Sequence, residues 1–372
     1  MHMADALLSP PVAGAMAVLS AGAAAAALRE YRREDGTGSL TPGRRLPEMA
    51  IMSALVFAGQ MINYTIPGTG SSGHIGGGFL LAAILGPSAG FLSMIAVLTI
   101  QCLFFADGGL MALGANIWNM GFYGCFAGYY LIYRPLMRRR FPEGLKPEEA
   151  VHRVRRRLMA ASVLGCVVSL QLGAFSVVLE TSLSGITALP FGAFAALMQP
   201  IHLAIGLVEG VITGTVLGFL YSARPELIRE DPLACREPGQ AQGKTQGQAQ
   251  VQGQQARHSR RAVLAVLLFS ALVIGGGLSL VASSAPDGLE WSLFGSEERD
   301  NMALDEDNFG IDSAAADRAA ALQEKTALMP DYAFASDPDN PLGTTAAGLL
   351  GVLLAAAAVT GIGTLVRRRH RV

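Results

Sequence analysis

Charge is scarce in this chain. Only 15% of its 372 residues are Asp, Glu, Lys or Arg, against 51% hydrophobic, and the formal net charge is -1. That balance points away from a nucleic-acid partner. Aromatic residues are few, at 7%. The four cysteines (Cys102, Cys125, Cys166, Cys235) are scattered without a CxxC pair, which excludes a disulfide-stapled scaffold. Three of them lie in apolar runs, where a reduced, buried thiol is the ordinary reading. Lys and Arg are missing from Met1 to Ala27, and the first bases follow the apolar stretch, at Arg29, Arg32 and Arg33. A cleaved signal peptide carries its bases before the apolar core. The observed order describes a retained helix whose N-terminus lies outside. A phosphate-binding loop is also missing. Gly243-Lys244-Thr245 has Pro238 where the first glycine belongs, with neither a strand before it nor a helix after it. No bound nucleotide is expected.

What the chain does have is long apolar runs and abundant small residues, the mix of a helical membrane protein. Runs of spanning length fall near Pro10–Leu28, Pro47–Tyr64, Ile75–Pro87, Ser88–Phe105, Met111–Tyr133, Leu158–Thr181 and Ala196–Tyr221. Two more lie near Ala262–Ala282 and Gly343–Val366. The stretch from Ile75 to Phe105 contains Gly86-Pro87 and suits either two short crossings or one re-entrant segment. Basic loops at Arg29–Arg45, Arg134–Arg157 and Arg257–Arg261, with the tail Arg367–Arg371, are cytoplasmic by the positive-inside rule. The acidic segment Ser283–Pro341 is then outside. A Gln/Gly tract from Pro238 to Gln255 has little to bury and reads as a flexible linker. The expected fold class is all-α: a polytopic transmembrane bundle of about seven helices in residues 1–222. A cytoplasmic linker follows over 223–261, then a two-helix membrane hairpin with an extracytoplasmic loop over 262–372. The bilayer expected is the cell's plasma membrane, with the N-terminus outside and the C-terminus cytoplasmic.

Chemistry gathers at the N-terminus. The amino nitrogen of Met1, the amide nitrogen of His2 and the His2 imidazole can chelate one cation through rings that share the backbone. Three nitrogens approaching a plane favour Ni(II) or Cu(II), since weaker-binding divalents displace an amide proton poorly. By itself an N-terminal His is more often incidental. His74 changes the balance. It lies in the polar, glycine-rich turn Gly68–Gly78, on the same expected side as the N-terminus. Imidazole is the commonest metal ligand, and ionisable groups at membrane depth are functional candidates. His202 and Glu209 share one helix face, and Asp107, Asn116, Asn119, Gln171 and Glu180 are further polar groups at or near the spans. For each of these the plainer reading is hydrogen bonding between helices. Ala50, Ala54 and Ala58 form a four-residue stripe that suits close helix packing, either internal or as a docking face for a partner membrane subunit.

These residues carry a resemblance. The opening MHMADALLSPPV resembles the MHIADG-type N-terminus of the CbiM/NikM family, the substrate-specificity subunits of energy-coupling-factor nickel and cobalt importers. The stretches SSGHIGG, AILGP, FADGGLMALGANIWNMG and IHLAIGLVEG follow in the same order, from Met1 to about Tyr221. Ala6 stands where that family usually has Gly. Pro286-Asp287-Gly288-Leu289-Glu290 and Met329-Pro330-Asp331-Tyr332 resemble the PDGLE domain, a small accessory module of such importers. The resemblance implies a metal held by Met1, His2 and His74, with Asp5, Asn116, Asn119, His202 and Glu209 as supporting groups. It implies separate ATPase subunits and a transmembrane coupling subunit as partners. The transported substrate expected is Ni(II), with Co(II) as the alternative. A proton-coupled secondary transporter would need more acidic groups deep in the spans. A metalloenzyme would need an open coordination position, which a plane filled by protein nitrogens does not leave.

Overall fold

The computed structural model describes residues 1–36, 45–139, 141–142, 145–185, 190–233, 259–296, 299–300 and 313–368. The expected linker over Pro238–Gln255 and the Lys244 motif lie outside these residues. A 3-10 turn, Asp5–Leu7, leads into α1 (Pro10–Gly36), and α2 is Arg45–Gln60. A small antiparallel hairpin follows, β1 (Tyr64–Ile66) and β2 (Ser71–Gly73), with Tyr64 opposite Gly73. Next come α3 (Gly78–Leu85) and α4 (Pro87–Phe105). The helix α5 is continuous through three parts: an α-turn Leu113–Asn116, a π-helical stretch Ile117–Tyr133 and a last turn Arg134–Met137. Two long helices, α6 (Pro147–Leu183) and α7 (Phe191–Ala223), complete the N-terminal part. The C-terminal part holds α8 (Arg260–Gly276), α9 (Gly288–Phe294), α10 (Ala314–Thr326) and α11 (Pro341–Arg368). A second two-stranded hairpin, β3 (Gly295–Ser296) with β4 (Arg299–Asp300), follows α9.

Among the described residues five helices are long and apolar enough to cross a membrane: Pro10–Glu34, Pro87–Phe105, Glu148–Leu183, Phe191–Ala223 and Pro341–Thr364. The protein is therefore an all-α, multi-pass membrane protein. At 16 and 17 residues, α2 and α8 fall just short of the ~20 that a helix needs to span.

The segment Ile75–Pro87 is not a membrane-crossing helix. Its helical part, α3, has 8 residues and is about 12 Å long, well short of the hydrocarbon thickness. Every residue of α3 is buried in protein. Gly86 turns the chain with φ +89°, and Pro87 opens α4, where its missing N–H costs nothing. Glycine is also needed where α3 meets α5. A Cβ on Gly124 would sit 3.0 Å from the Gly78 Cα, so only bare backbone fits there.

The alanine stripe is buried as well, with Ala50 6% exposed and Ala54 and Ala58 0%. Helix α2 packs against α3, α4, α8 and α11. The stripe is thus internal packing surface rather than a free docking face. Another small-residue stripe joins α6 to α7. Gly206, Gly210 and Gly214 meet Val167, Val163 and Met159, and a Cβ at any of the three would press on α6.

Candidate metal site

The N-terminal strap is pinned before the site begins. Met3 N donates to Asn116 Oδ1 at 2.8 Å, and Asn116 Nδ2 returns a bond to Met3 O at 3.1 Å. Gly109 N also donates to Met3 O, and Asp5 Oδ1 accepts from Ala112 N at 2.9 Å. Ala6 lies in the 3-10 turn without a left-handed backbone, so glycine is not required there.

His74 is delivered by the β1–β2 hairpin and the glycine run behind it. Gly68 and Gly70 take positive φ at the hairpin tip. Beyond His74 the chain is not helical until Gly78, so its amides need partners inside the bundle. Glu209 supplies them, its Oε2 accepting from Gly76 N at 2.9 Å and its Oε1 from Gly77 N at 2.8 Å. Gln60 Nε2 donates to Gly76 O at 2.8 Å. Glu209 therefore anchors the His74 loop, and its carboxylate is committed.

The strap and the loop meet. The Met1 nitrogen lies 3.4 Å from His74 Nε2, and the His2 and His74 rings stack at 5.4 Å between centroids with planes 23° apart. The structure thus brings Met1, His2 and His74 together. Chelation with the backbone nitrogen of His2 uses ring atom Nδ1, because Nε2 lies on the far side of the ring. In the structure Nδ1 lies 3.1 Å from Asp107 Oδ1, while Nε2 is buried with no hydrogen-bond partner among the described residues. Closing the chelate requires the ring to turn from Asp107. Among the described residues no three His, Cys, Asp or Glu side chains stand in metal-holding geometry.

The C-terminal part roofs this cluster, through residues the sequence reading did not assign to it. Asp287 caps α9 with Oδ1, accepting from Leu289 N and Glu290 N, and its Oδ2 takes the Met1 ammonium at 2.5 Å. Ser72 N donates to Pro286 O at 2.8 Å. Tyr332 Oη donates to Asp107 Oδ2 at 2.5 Å, so that Asp107 joins His2 to the C-terminal part. Tyr332 and Asp331 both take left-handed backbone (φ 59° and 51°), an uncommon state outside glycine. The Asp-x-x-Glu spacing of Asp287 and Glu290 signals a helix cap in the sequence; nothing in it says that the cap faces Met1.

Burial pushes the His74 imidazole down to about 4, helped by the Met1 ammonium and His2 beside it. Burial lowers His2 as well, against the pull of Asp107. Both shifts favour the neutral ring, which has a lone pair to offer. Burial works to raise Asp287, but the Met1 ammonium outweighs it and holds the carboxyl well below the usual range.

The other candidates are placed between helices. Asn119 Nδ2 donates to Glu180 Oε2 at 2.9 Å, and Gln171 Nε2 donates to Gln199 O at 2.8 Å. His202 is buried on α7 and lines the same small cavity as Met1, His74 and Asp287.

Membrane-crossing helices closed over an amine and two imidazoles define a class: a multi-pass membrane protein with nitrogen-bearing groups gathered at one end. Residues 2–227 match the family described as cobalt uptake substrate-specific transmembrane region, and the chain belongs to that family. Residues 261–368 match the PDGLE domain. Membership places the chain among components of metal uptake rather than among enzymes. A fused nickel transport protein of Rhodobacter capsulatus is 28% identical over 99% of both chains. A relative from Archaeoglobus fulgidus, named for fused nickel transport, is 37% identical over 62% of this chain and 68% of its own length. A cobalt transport protein of Sorangium cellulosum is 31% identical over 52% of this chain and 80% of its own.

Proposed function

We propose that the chain is the substrate-binding component of an ATP-driven importer, taking Ni(II) from outside the plasma membrane, with Co(II) as the alternative cargo. The Met1 amine, the His2 backbone and ring nitrogens and the His74 ring are the donors. The observation that carries this reading is the 3.4 Å approach of the Met1 nitrogen to His74 Nε2, with the His2 ring stacked beside it. Planar nitrogen donors favour Ni(II), as do the fused relatives named for nickel. ATP hydrolysis falls to separate ATPase subunits, reached through a transmembrane coupling subunit. The Met1 end faces outward and the arginine-rich end faces the cytoplasm, in keeping with the distribution of bases.

Replacing His74 tests the donor set. His74→Ala removes one nitrogen of four and should weaken Ni(II) binding by at least roughly tenfold, since even outer groups of a metal site carry that much. Unchanged affinity in a direct titration would remove His74 from the site.

A further inference from the structure

Two buried acceptor atoms beside the N-terminal donors have no hydrogen-bond partner among the described residues: His202 Nε2 and Asn119 Oδ1. Each residue is 1% exposed. Both line one cavity of about 30 Å3, with Met1, His74 and Asp287 on its wall. The cavity runs inward among Phe79 of α3, Gly124 of α5, Ser169 of α6 and Ile205 of α7.

The hydrogen bonds around these two atoms fix what they present. His202 Nδ1 lies 2.8 Å from Met198 O, so it carries the proton and leaves Nε2 as a bare lone pair. Asn119 Nδ2 donates to Glu180 Oε2, which fixes the amide and leaves its carbonyl oxygen unshared. Met3 Sδ, 3.7 Å from the same Nδ2, is a second acceptor on that side and supports this amide orientation. The carboxylates on the same wall are committed, Glu209 to Gly76 N and Gly77 N and Asp287 to Met1 and the α9 cap. The unshared polar atoms here are thus electron-pair donors, in a space that holds one water or one bare ion.

We propose that this cavity is a second binding position for the transported divalent cation, inward of the N-terminal donors, with His202 Nε2 and Asn119 Oδ1 as its protein ligands. The inference rests on the N-terminal reading for the identity of the cargo. Imidazole nitrogen with amide oxygen suits a borderline first-row divalent cation, and water completes the shell. A cation released by Met1 and His74 meets this position on the same cavity wall. Gly288 packs against the His202 ring, where a Cβ would lie 3.1 Å from Cε1. The PDGLE segment thereby closes the cavity from the Met1 side.

The test is equilibrium Ni(II) titration of the full chain and its variants, with nickel uptake measured in cells that supply the partner subunits. His2→Ala, which disables the outer donors, should still bind one Ni(II) per chain, more weakly. Adding His202→Phe keeps a buried ring but removes the lone pair, and should lower that residual affinity at least roughly tenfold. His202→Gln returns an acceptor and should restore part of it. His202→Phe alone should lower uptake, while a circular-dichroism spectrum and thermal melt like the parent's report that the chain is folded. Residual binding that is absent, or the same with and without His202→Phe, would show that the cavity holds water only and overturn the proposal. Loss of tight binding in both His202→Phe and His202→Gln would assign His202 to the outer site and also overturn it. Tight binding undiminished by His2→Ala would instead refute the N-terminal reading, and a fall on adding His202→Phe would still support the inner position.

Discussion

At the Met1 end of the bundle, the carboxylates of Asp287, Asp107 and Glu209 meet an amine, an imidazole and two backbone amides, most of them shielded from solvent. At the opposite end, Glu230 meets Arg138 at 2.6 Å and Arg134 at 3.4 Å, Glu34 meets Arg45 at 2.7 Å, and Glu48 meets Arg260 at 2.6 Å. The residue types overlap, yet the consequences differ. Arg138 is 54% exposed and its pair faces a wide groove, where solvent weakens the attraction. Glu209 is 1% exposed, so its removal leaves the two amides it holds without a partner in the protein. Burial, not the count of ion pairs, decides which end is sensitive.

The largest effect expected from a substitution that sharpens this contrast comes from Glu209→Leu. It orphans the Gly76 and Gly77 amides, at a cost of about 1–3 kcal/mol for each. Denaturation should show that loss, and Ni(II) affinity should fall with it because His74 sits two residues from the released amide. Normal stability and affinity would make the Glu209 anchor dispensable.

Acid should act next, and in two stages. With its pKa lowered to about 4, His74 is a neutral ligand through the neutral range. Its unfolded reference is near 6.5, so its contribution to stability is complete above that value and is lost as pH falls towards 4. Metal binding at nitrogen donors releases protons, so apparent affinity should fall roughly tenfold or more between pH 8 and pH 6. The imidazole loss should enter only nearer pH 4. Nickel titrations at pH 8, 6 and 4.5 would show both stages. A flat response from 8 to 6 would favour a carboxylate site.

The smallest effect belongs to the other end. Arg138→Ala should cost less than about 1 kcal/mol, with metal affinity unchanged. A larger loss in denaturation would erase the distinction between the two ends.

The residues gathered at the Met1 end were legible as candidate donors because their chemistry is local. Met1 and His2 are adjacent, and His74 stands in a glycine-rich turn. Glu209 was legible as a candidate, but its role as an anchor was not, because its partners lie more than a hundred residues away. Asp287 and Tyr332 reach the site only through tertiary packing of the C-terminal part, which no spacing encodes. Hydropathy located Ile75–Pro87 but could not show that its first residues are not helical and its helix short. The Ala50/Ala54/Ala58 stripe announced close packing without saying against what, and the answer lies within the chain.

The proposed site holds metal only if the Met1 amine and the His2 backbone act as one chelate. One residue inserted between Met1 and His2 enlarges the chelate and moves the imidazole while leaving every helix intact. Direct Ni(II) titration of that insertion variant should show binding weakened by at least roughly tenfold, the scale at which the surroundings of a metal are felt. Binding as tight as in the parent chain would contradict the account.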